Sequence, residues 1–278
     1  MPRANDVAAG ARPTLRWNLP RLFLLGCSLA VLGVFVGCAK QNSSAPSAVA
    51  PPAPSALATT PVAPPANAEM ASALPATAAV PTAPFEGEGW QPMFDGHSLG
   101  NWREIQYAGR GDVQIESGAI LLAMGSPFTG IHWTNEFPTV NYEIAFDAMR
   151  TMGSDFFCGL TVPVGDSHCS LIVGGWGGGL VGISSLDGYD ASENETTKFM
   201  SFEKGRWYRI RLRVTAKRIE AWIGAEKMVN VDTTDRKIAM RPGDIELSAP
   251  LGLSAWQTGA AFREIKWRRV TEPAGPLR

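Results

Sequence analysis

Hydrophobic and polar residues alternate most cleanly between positions 207 and 223. In Trp207–Val214, Tyr208, Ile210, Leu212 and Val214 alternate with Arg209, Arg211 and Arg213. In Arg218–Ile223, Ile219, Ala221 and Ile223 alternate with Arg218, Glu220 and Trp222. A period of two sends successive side chains to opposite faces of a strand, so one face is buried and the other wet. The wet face here carries a row of arginines. That row predicts an ion-paired or solvated sheet surface, with binding of an anionic group as the alternative. Similar runs rich in β-branched and aromatic residues recur at 112–116, 119–123, 130–133, 140–150, 155–162, 168–173, 180–184, 228–231, 245–248, 251–255 and 262–270. Turn residues separate them, and no window holds a 3.6-residue apolar period. The pattern predicts an all-β sandwich.

The runs 156–162 and 168–173 flank Val164, Gly165, Asp166 and Ser167. With Gly165 and Asp166 as the turn residues, Cys169 faces Val162 and Cys158 faces Val173. Both cysteines then share the apolar, core-facing side with Leu160 and Leu171. They stand ~13 Å apart along the sheet, beyond the ~7 Å that a disulfide spans, which predicts two buried free thiols. The same register puts Asp155, Phe157, Thr161, His168 and Ser170 on the opposite face. A histidine among polar neighbours on such a face can serve as a general base or acid; the alternative is an exposed, idle side chain. In the strand at 140–150, Glu143 and Asp147 take the polar face if Tyr142, Ile144, Phe146 and Ala148 point inward.

After this hairpin come Gly174, Gly175, Trp176, Gly177, Gly178 and Gly179. The cluster lacks the lysine and following helix of a phosphate loop. It suits a close backbone approach or an unusual turn, with Trp176 as a stacking platform or a packed anchor. Asp187, Asp190, Glu193 and Glu195 follow within nine residues. They could supply an acid/base pair, contact a substrate, bind Ca²⁺ through carboxylates and loop carbonyls, or be a solvated loop. Their spacing matches no EF-hand, and no metal or other cofactor is expected. Thr161 and Ser170 join Trp176, Glu193 and Glu195 as candidate substrate-binding groups. G-x-S-x-G, H-E-x-x-H and C-x-x-C are all missing. The paired-carboxylate strand motif E-x-D-x-x-E is missing as well, which disfavours a standard retaining glycosidase.

The net charge of −1 leaves no electrostatic footprint for nucleic acid. Composition divides the 278 residues into unlike parts. Arg3, Arg12, Arg16 and Arg21 precede an apolar run at 22–36, then Gly37 and Cys38. A basic segment, an apolar segment and a small residue make a secretory signal over 1–38. Phe35, Val36, Gly37 and Cys38 resemble a bacterial lipobox, with Phe35 where leucine is usual and Cys38 as the lipidated residue. The alternatives are a single N-terminal anchor helix, since the run is near the short end of the ~17–25 residues that span a bilayer, and a plain secreted protein. All three place the rest of the chain outside the cytoplasm, at the cell envelope if anchored to its membrane. Residues 39–84 are rich in Ala, Pro, Ser and Thr. From 41 onward Glu69 is the only charge and no aromatic occurs, which predicts a disordered linker. The folded domain is expected at 85–271, with a tail at 272–278.

Three motifs in that domain carry a resemblance. Residues 89–102 read Gly-Trp-Gln-Pro-Met-Phe-Asp-Gly-His-Ser-Leu-Gly-Asn-Trp and resemble the LFDG-x-SL-x-x-W opening of the 3-keto-disaccharide hydrolase family. Residues 205–214 and 220–224 look like its late hairpin. The ending Ala-Phe-Arg-Glu-Ile-Lys-Trp at 261–267 resembles its closing strand. The sequence departs from the family at Phe157-Cys158-Gly159-Leu160, where Asn-Ser-Gly-Ile/Val is common, and at Tyr208, where Asn is usual.

The resemblance implies a concanavalin-A-like jelly-roll β-sandwich over about 88–270. It also implies glycosides oxidised at sugar C3 as substrates. A C3 ketone acidifies the C2–H, so a modest base can start elimination of the C1 substituent, and water then completes net hydrolysis. On this expectation His168 is the base, assisted by Asp155 and by Asp187 or Asp190. The alternatives are a non-catalytic, lectin-like glycan-binding module and a cell-envelope interaction protein.

Overall fold

In a computed structural model, residue 85 and residues 87–271 are described. The signal segment with Cys38, the linker at 39–84 and the tail at 272–278 lie outside the described residues. Two antiparallel sheets hold the strands. One runs, in spatial order, β13 (Glu226–Asp232), β12 (Arg218–Ile223), β11 (Trp207–Val214), β6 (Tyr142–Gly153), β15 (Thr258–Arg269), β4 (Ala119–Leu122) and β3 (Val113–Glu116), with β1 (Gln91–Pro92) also paired to β15. The other runs β10 (Lys198–Phe199), β9 (Leu180–Ser184), β8 (Ser167–Gly175), β7 (Cys158–Val164), β14 (Gly252–Trp256), β5 (Phe128–Trp133) and β2 (Trp102–Glu104). This is the all-β jelly-roll sandwich that the alternation and the motifs predict.

The alternating apolar sets of the two sheets meet between them. Ile144 and Phe146 of β6 and Ile210 and Leu212 of β11 share one buried cluster with Leu160 and Val162 of β7 and Leu171 and Val173 of β8. Each such side chain contributes ~1.5–3 kcal/mol by leaving water. The central hairpin has the expected register: Cys158 opposes Val173, Val162 opposes Cys169, and Val164 opposes Ser167 across Gly165 and Asp166. Both cysteines are free and buried. Burial pushes the Cys169 thiol up to about 12 and the Cys158 thiol higher still. The thiolate is the reactive form, so both should resist iodoacetamide at pH 8 and react once urea unfolds the chain. Peptide mapping that found either residue alkylated equally fast in the native protein would contradict this packing.

The outward face of the first sheet shows what the arginine row is for. Glu143 and Asp147 of β6 are 0% and 1% exposed. Arg211, Arg213 and Arg268 reach Glu143 at 3.0, 3.4 and 2.8 Å. Arg209 and Arg263 reach Asp147 at 2.5 and 3.4 Å. Aromatic rings cover the cations: Arg211 lies over Trp222 and Arg263 over Trp207, at 4.0 and 4.1 Å from the ring centres. The row is therefore an ion-paired, ring-capped surface.

Two expectations are corrected. Residues 245–248 are not a strand; Asp244–Ser248 is a short 3-10 helix. Gly243 enters it at φ 124, and Glu246 and Ala249 N–H groups donate to the carbonyls of Gly243 and Glu246 at 3.0 and 3.1 Å. Phe157 does not face outward. β7 starts only at Cys158, after a bend, and the bend parts neighbouring rings. Phe157 packs in the main core 5.2 Å from Phe202, while Phe156 joins a separate cluster on the outside of the second sheet.

Candidate functional site

The alternation that sends Cys169, Leu171 and Val173 inward sends Ser170 and Ile172 to the outer face of β8. There a second apolar cluster forms, including Tyr107, Phe128, Phe156, Ile172, Leu180 and Ile245. Loops fold over it and leave a cleft of about 490 Å³. The sheet supplies Ser170, Ile172, Ser184, Phe128 and Trp256 to its lining; the loops supply Asp155, Phe156, Trp176, Asp190, Arg241, Pro242 and Gly243, and the 3-10 helix supplies Asp244 and Ile245. Trp256 stands edge-on to Phe128, 4.6 Å between centres. A mainly apolar, aromatic lining with a few convergent polar groups is the usual make-up of a ligand site.

One side chain fixes two walls of the cleft. Arg150, 5% exposed at the end of β6, donates through Nη2 to the carbonyls of Asp155, Gly174 and Gly178 at 3.1, 3.1 and 2.8 Å. Through Nη1 it donates to the Phe202 carbonyl at 3.4 Å. Burial lowers its pKa and the Asp155 charge opposes that shift; a guanidinium is not deprotonated in proteins. The approach is close enough to require glycine: a Cβ on Gly174, which has φ +80, would lie 2.5 Å from Arg150 Nη2. The loop thus anchored carries Trp176, 44% exposed at φ 48.

The acidic loop is drawn back over β9. Asn194 Nδ2 donates to the carbonyls of Ile183, Tyr189 and Asp190 at 2.8, 3.2 and 2.8 Å. Thr196 Oγ1 accepts the Ile183 N–H at 2.8 Å. Asp190 is thereby set on the cleft, where its Oδ2 accepts from Arg241 at 2.6 Å. Asp187 and Glu195 are instead tied to Arg236 at 2.5 and 2.6 Å. The Lys237 N–H, and then Arg236, hold the Asp187 carboxyl below its ordinary value, and Arg236 does the same for Glu195.

The cleft therefore gathers Asp155, Asp190, Trp176 and Ser170 of the residues expected from sequence. It does not gather the others. His168 opposes Pro163 near the hairpin turn. Asp155 sits at the other end of β8, where a Cβ on Gly175 would be 3.9 Å from its Oδ1. Seven residues of strand separate the two levels, ~23 Å. Burial also lowers the His168 pKa, favouring the neutral ring. Thr161 lies beneath the lining, its hydroxyl shared with Ser170 and Ser248 at 2.8 and 2.5 Å. Asp187, Glu193 and Glu195 do not line the cleft. Among the described residues no three His, Cys, Asp or Glu side chains converge to hold a metal ion.

Sequence reasoning missed Arg150, Ser184, Arg241, Asp244 and Trp256. An arginine near the end of an otherwise apolar strand was the one visible signal, for Arg150. The rest come from segments that only the fold brings near.

Residues 89–268 match the profile of the family described as the 3-keto-alpha-glucoside-1,2-lyase-like domain. No curated protein matches the chain. The chain is also similar to several solved structures. A provisionally assigned glycosyl hydrolase from Parabacteroides distasonis is 13% identical, with 66% of this chain and 94% of that one covered and a TM-score of 0.42. The carbohydrate binding module CBM66 from Bacillus subtilis is 11% identical, with coverage of 60% and 95% and a TM-score of 0.41. The Crh5 transglycosylase in complex with NAG is 9% identical, with coverage of 67% and 86% and a TM-score of 0.45. Likeness at this level says nothing about chemistry.

Proposed function

Because the chain belongs to the family of 3-keto-alpha-glucoside-1,2-lyase-like domains, we propose that its cleft cleaves 3-keto-glycosides by base-initiated elimination and hydration. The observation that carries this is the meeting of two carboxylates, Asp155 and Asp190, from separate loops in one aromatic-lined cleft. In this reading Asp155 takes the C2 proton. The C2–H electron pair moves toward the ketone, whose oxygen becomes enolate-like and is steadied by Arg241, positioned by Asp190. The C1–O bond then breaks as C1=C2 forms, and the proton held by Asp155 goes to the leaving oxygen. Water adds across C1=C2, its hydroxyl to C1 and its proton to C2, which gives net hydrolysis. The base is Asp155 rather than His168, because His168 does not reach the cleft.

Incubation with a 3-keto-glucoside and with its non-oxidised parent tests the reading. Release of aglycone from the keto-sugar alone is the expected result. Binding of both sugars with turnover of neither favours a glycan-binding module. That second reading draws on the largely apolar lining and on the placement of Trp176.

The proposal includes a setting outside the cytoplasm, supported by the apolar run 22–36 and Cys38. On detergent phase separation the full chain should enter the detergent phase and Cys38→Ser the aqueous phase. A Cys38→Ser protein that stays with detergent would replace the lipid by an anchor helix.

A further inference from the structure

We propose that the cleft continues into a strip of exposed aromatic rings that holds the leaving-group side of a neutral oligosaccharide, so that the ligand is a chain rather than a disaccharide. The proposal rests on the carbohydrate reading above and extends it. Among the described residues the large apolar side chains left in water are Met124, Trp176, Tyr189, Phe199 and Leu247. Every aromatic in that set comes from the segment 176–199, beside one wall of the cleft.

The sheet register fixes where these rings stand. Phe199 of β10 opposes Leu180 of β9, and Leu180 opposes Gly175 of β8, the residue before Trp176. Leu180 packs in the outer apolar cluster with Phe156 and Ile172. Directly opposed residues of an antiparallel pair project to the same face. Phe199 therefore rises on the cleft face, two strand spacings or ~10 Å from Gly175. Tyr189 adjoins Asp190, which lines the cleft. The backbone beneath the rings is held: the Met200 N–H donates to the Gly179 carbonyl at 2.9 Å, and Asn194 Nδ2 donates to the Tyr189 carbonyl at 3.2 Å. Rings on fixed backbone lose little freedom when a ligand settles on them.

The chemistry of the strip selects the occupant. The exposed rings, 44%, 59% and 74% accessible, are separated along the chain by polar residues such as Glu193, Thr197 and Lys198. Sugar rings match such a surface, setting a C–H face on each aromatic and hydroxyls between them. Three carboxylates of the acidic loop are already paired, Asp187 and Glu195 with Arg236 and Asp190 with Arg241. A charged sugar would find no unpaired counter-charge among them, which favours a neutral chain.

The test uses the full chain and gluco-oligosaccharides, from disaccharide to hexasaccharide, oxidised at C3 of the non-reducing unit. The expected result is a kcat/KM that rises about tenfold with length, equivalent to one decade of affinity, and a Tyr189→Ala/Phe199→Ala double variant in which the rise is lost at an unchanged thermal midpoint. Equal kcat/KM across the series, or the same rise in both proteins, overturns the proposal while the cleft reading stands. Failure to turn over any member, with no binding of the non-oxidised series by calorimetry, overturns the carbohydrate reading and this one with it. If the double variant loses only a dimer in sedimentation, with the length dependence intact, the rings serve a second copy of the chain and the proposal falls.

Discussion

Asp155→Asn is expected to lower kcat on a 3-keto-glucoside by ~10²–10⁴-fold, the usual contribution of a positioned general base. The substitution is a clean one. Asp155 Oδ1 accepts the Phe156 N–H at 2.7 Å, and its own N–H donates to Thr258 Oγ1 at 3.1 Å. An asparagine keeps both bonds, and Arg150 still finds the carbonyl of residue 155. The proton-accepting capacity is lost together with the charge that acts on Arg150, so the thermal midpoint should fall only slightly. His168→Ala is the partner experiment. With ~23 Å of strand between its level and that of Asp155, its removal should leave kcat at the wild-type value. The reverse pattern, a dead His168→Ala and an active Asp155→Asn, would return the base to the hairpin and remove the cleft from the chemistry.

Glu143→Ala should produce the largest loss of stability. The carboxylate is fully buried, and three arginines converge on it. Removing one partner of a buried ion pair costs ~3–5 kcal/mol, because the remaining charges stay without compensation. A domain of this size loses ~2–4 °C of thermal midpoint per kcal/mol, so a drop of about 6–20 °C is expected. Glu264→Ala sets the scale. Its pair with Lys266 is at the surface, where an ion pair contributes ~0–1 kcal/mol. Equal midpoints for the two variants in scanning calorimetry would mean that the arginine row is held by its rings and not by Glu143.

Much of the architecture was written in the alternation. A period of two states which face a side chain takes, and the Gly165-Asp166 turn sets the register. Cys158 and Cys169 could therefore be placed in the core from sequence. Where the period fails, so did the reading. Ile245 and Leu247 mimic a strand, but i to i+3 bonds close that segment into a 3-10 turn. The bend before Cys158 sent Phe157 inward. The candidate site was legible in part for the same reason. Asp155, Ser170 and His168 were assigned to one face, yet a face does not say how far apart its members stand. His168 and Asp155 lie near opposite ends of β8. Asp190 could be singled out as a carboxylate, but its placement depends on Asn194, whose three carbonyl contacts leave no mark in a linear pattern. Arg241 and Asp244 reach the cleft from a segment about fifty residues further along the chain.

The grip of Arg150 has a consequence for how the cleft can change. Its hydrogen bonds go to main-chain oxygens, which every residue carries. Gly174 is confined by the contact itself, but Trp176, between the anchored carbonyls of Gly174 and Gly178, touches no part of that grip. Exchanging the indole for another side chain changes the lining of the cleft without loosening what holds the loop. The lining and the anchor are thus carried by separate atoms, and this wall can be reshaped one residue at a time while the sandwich stays folded.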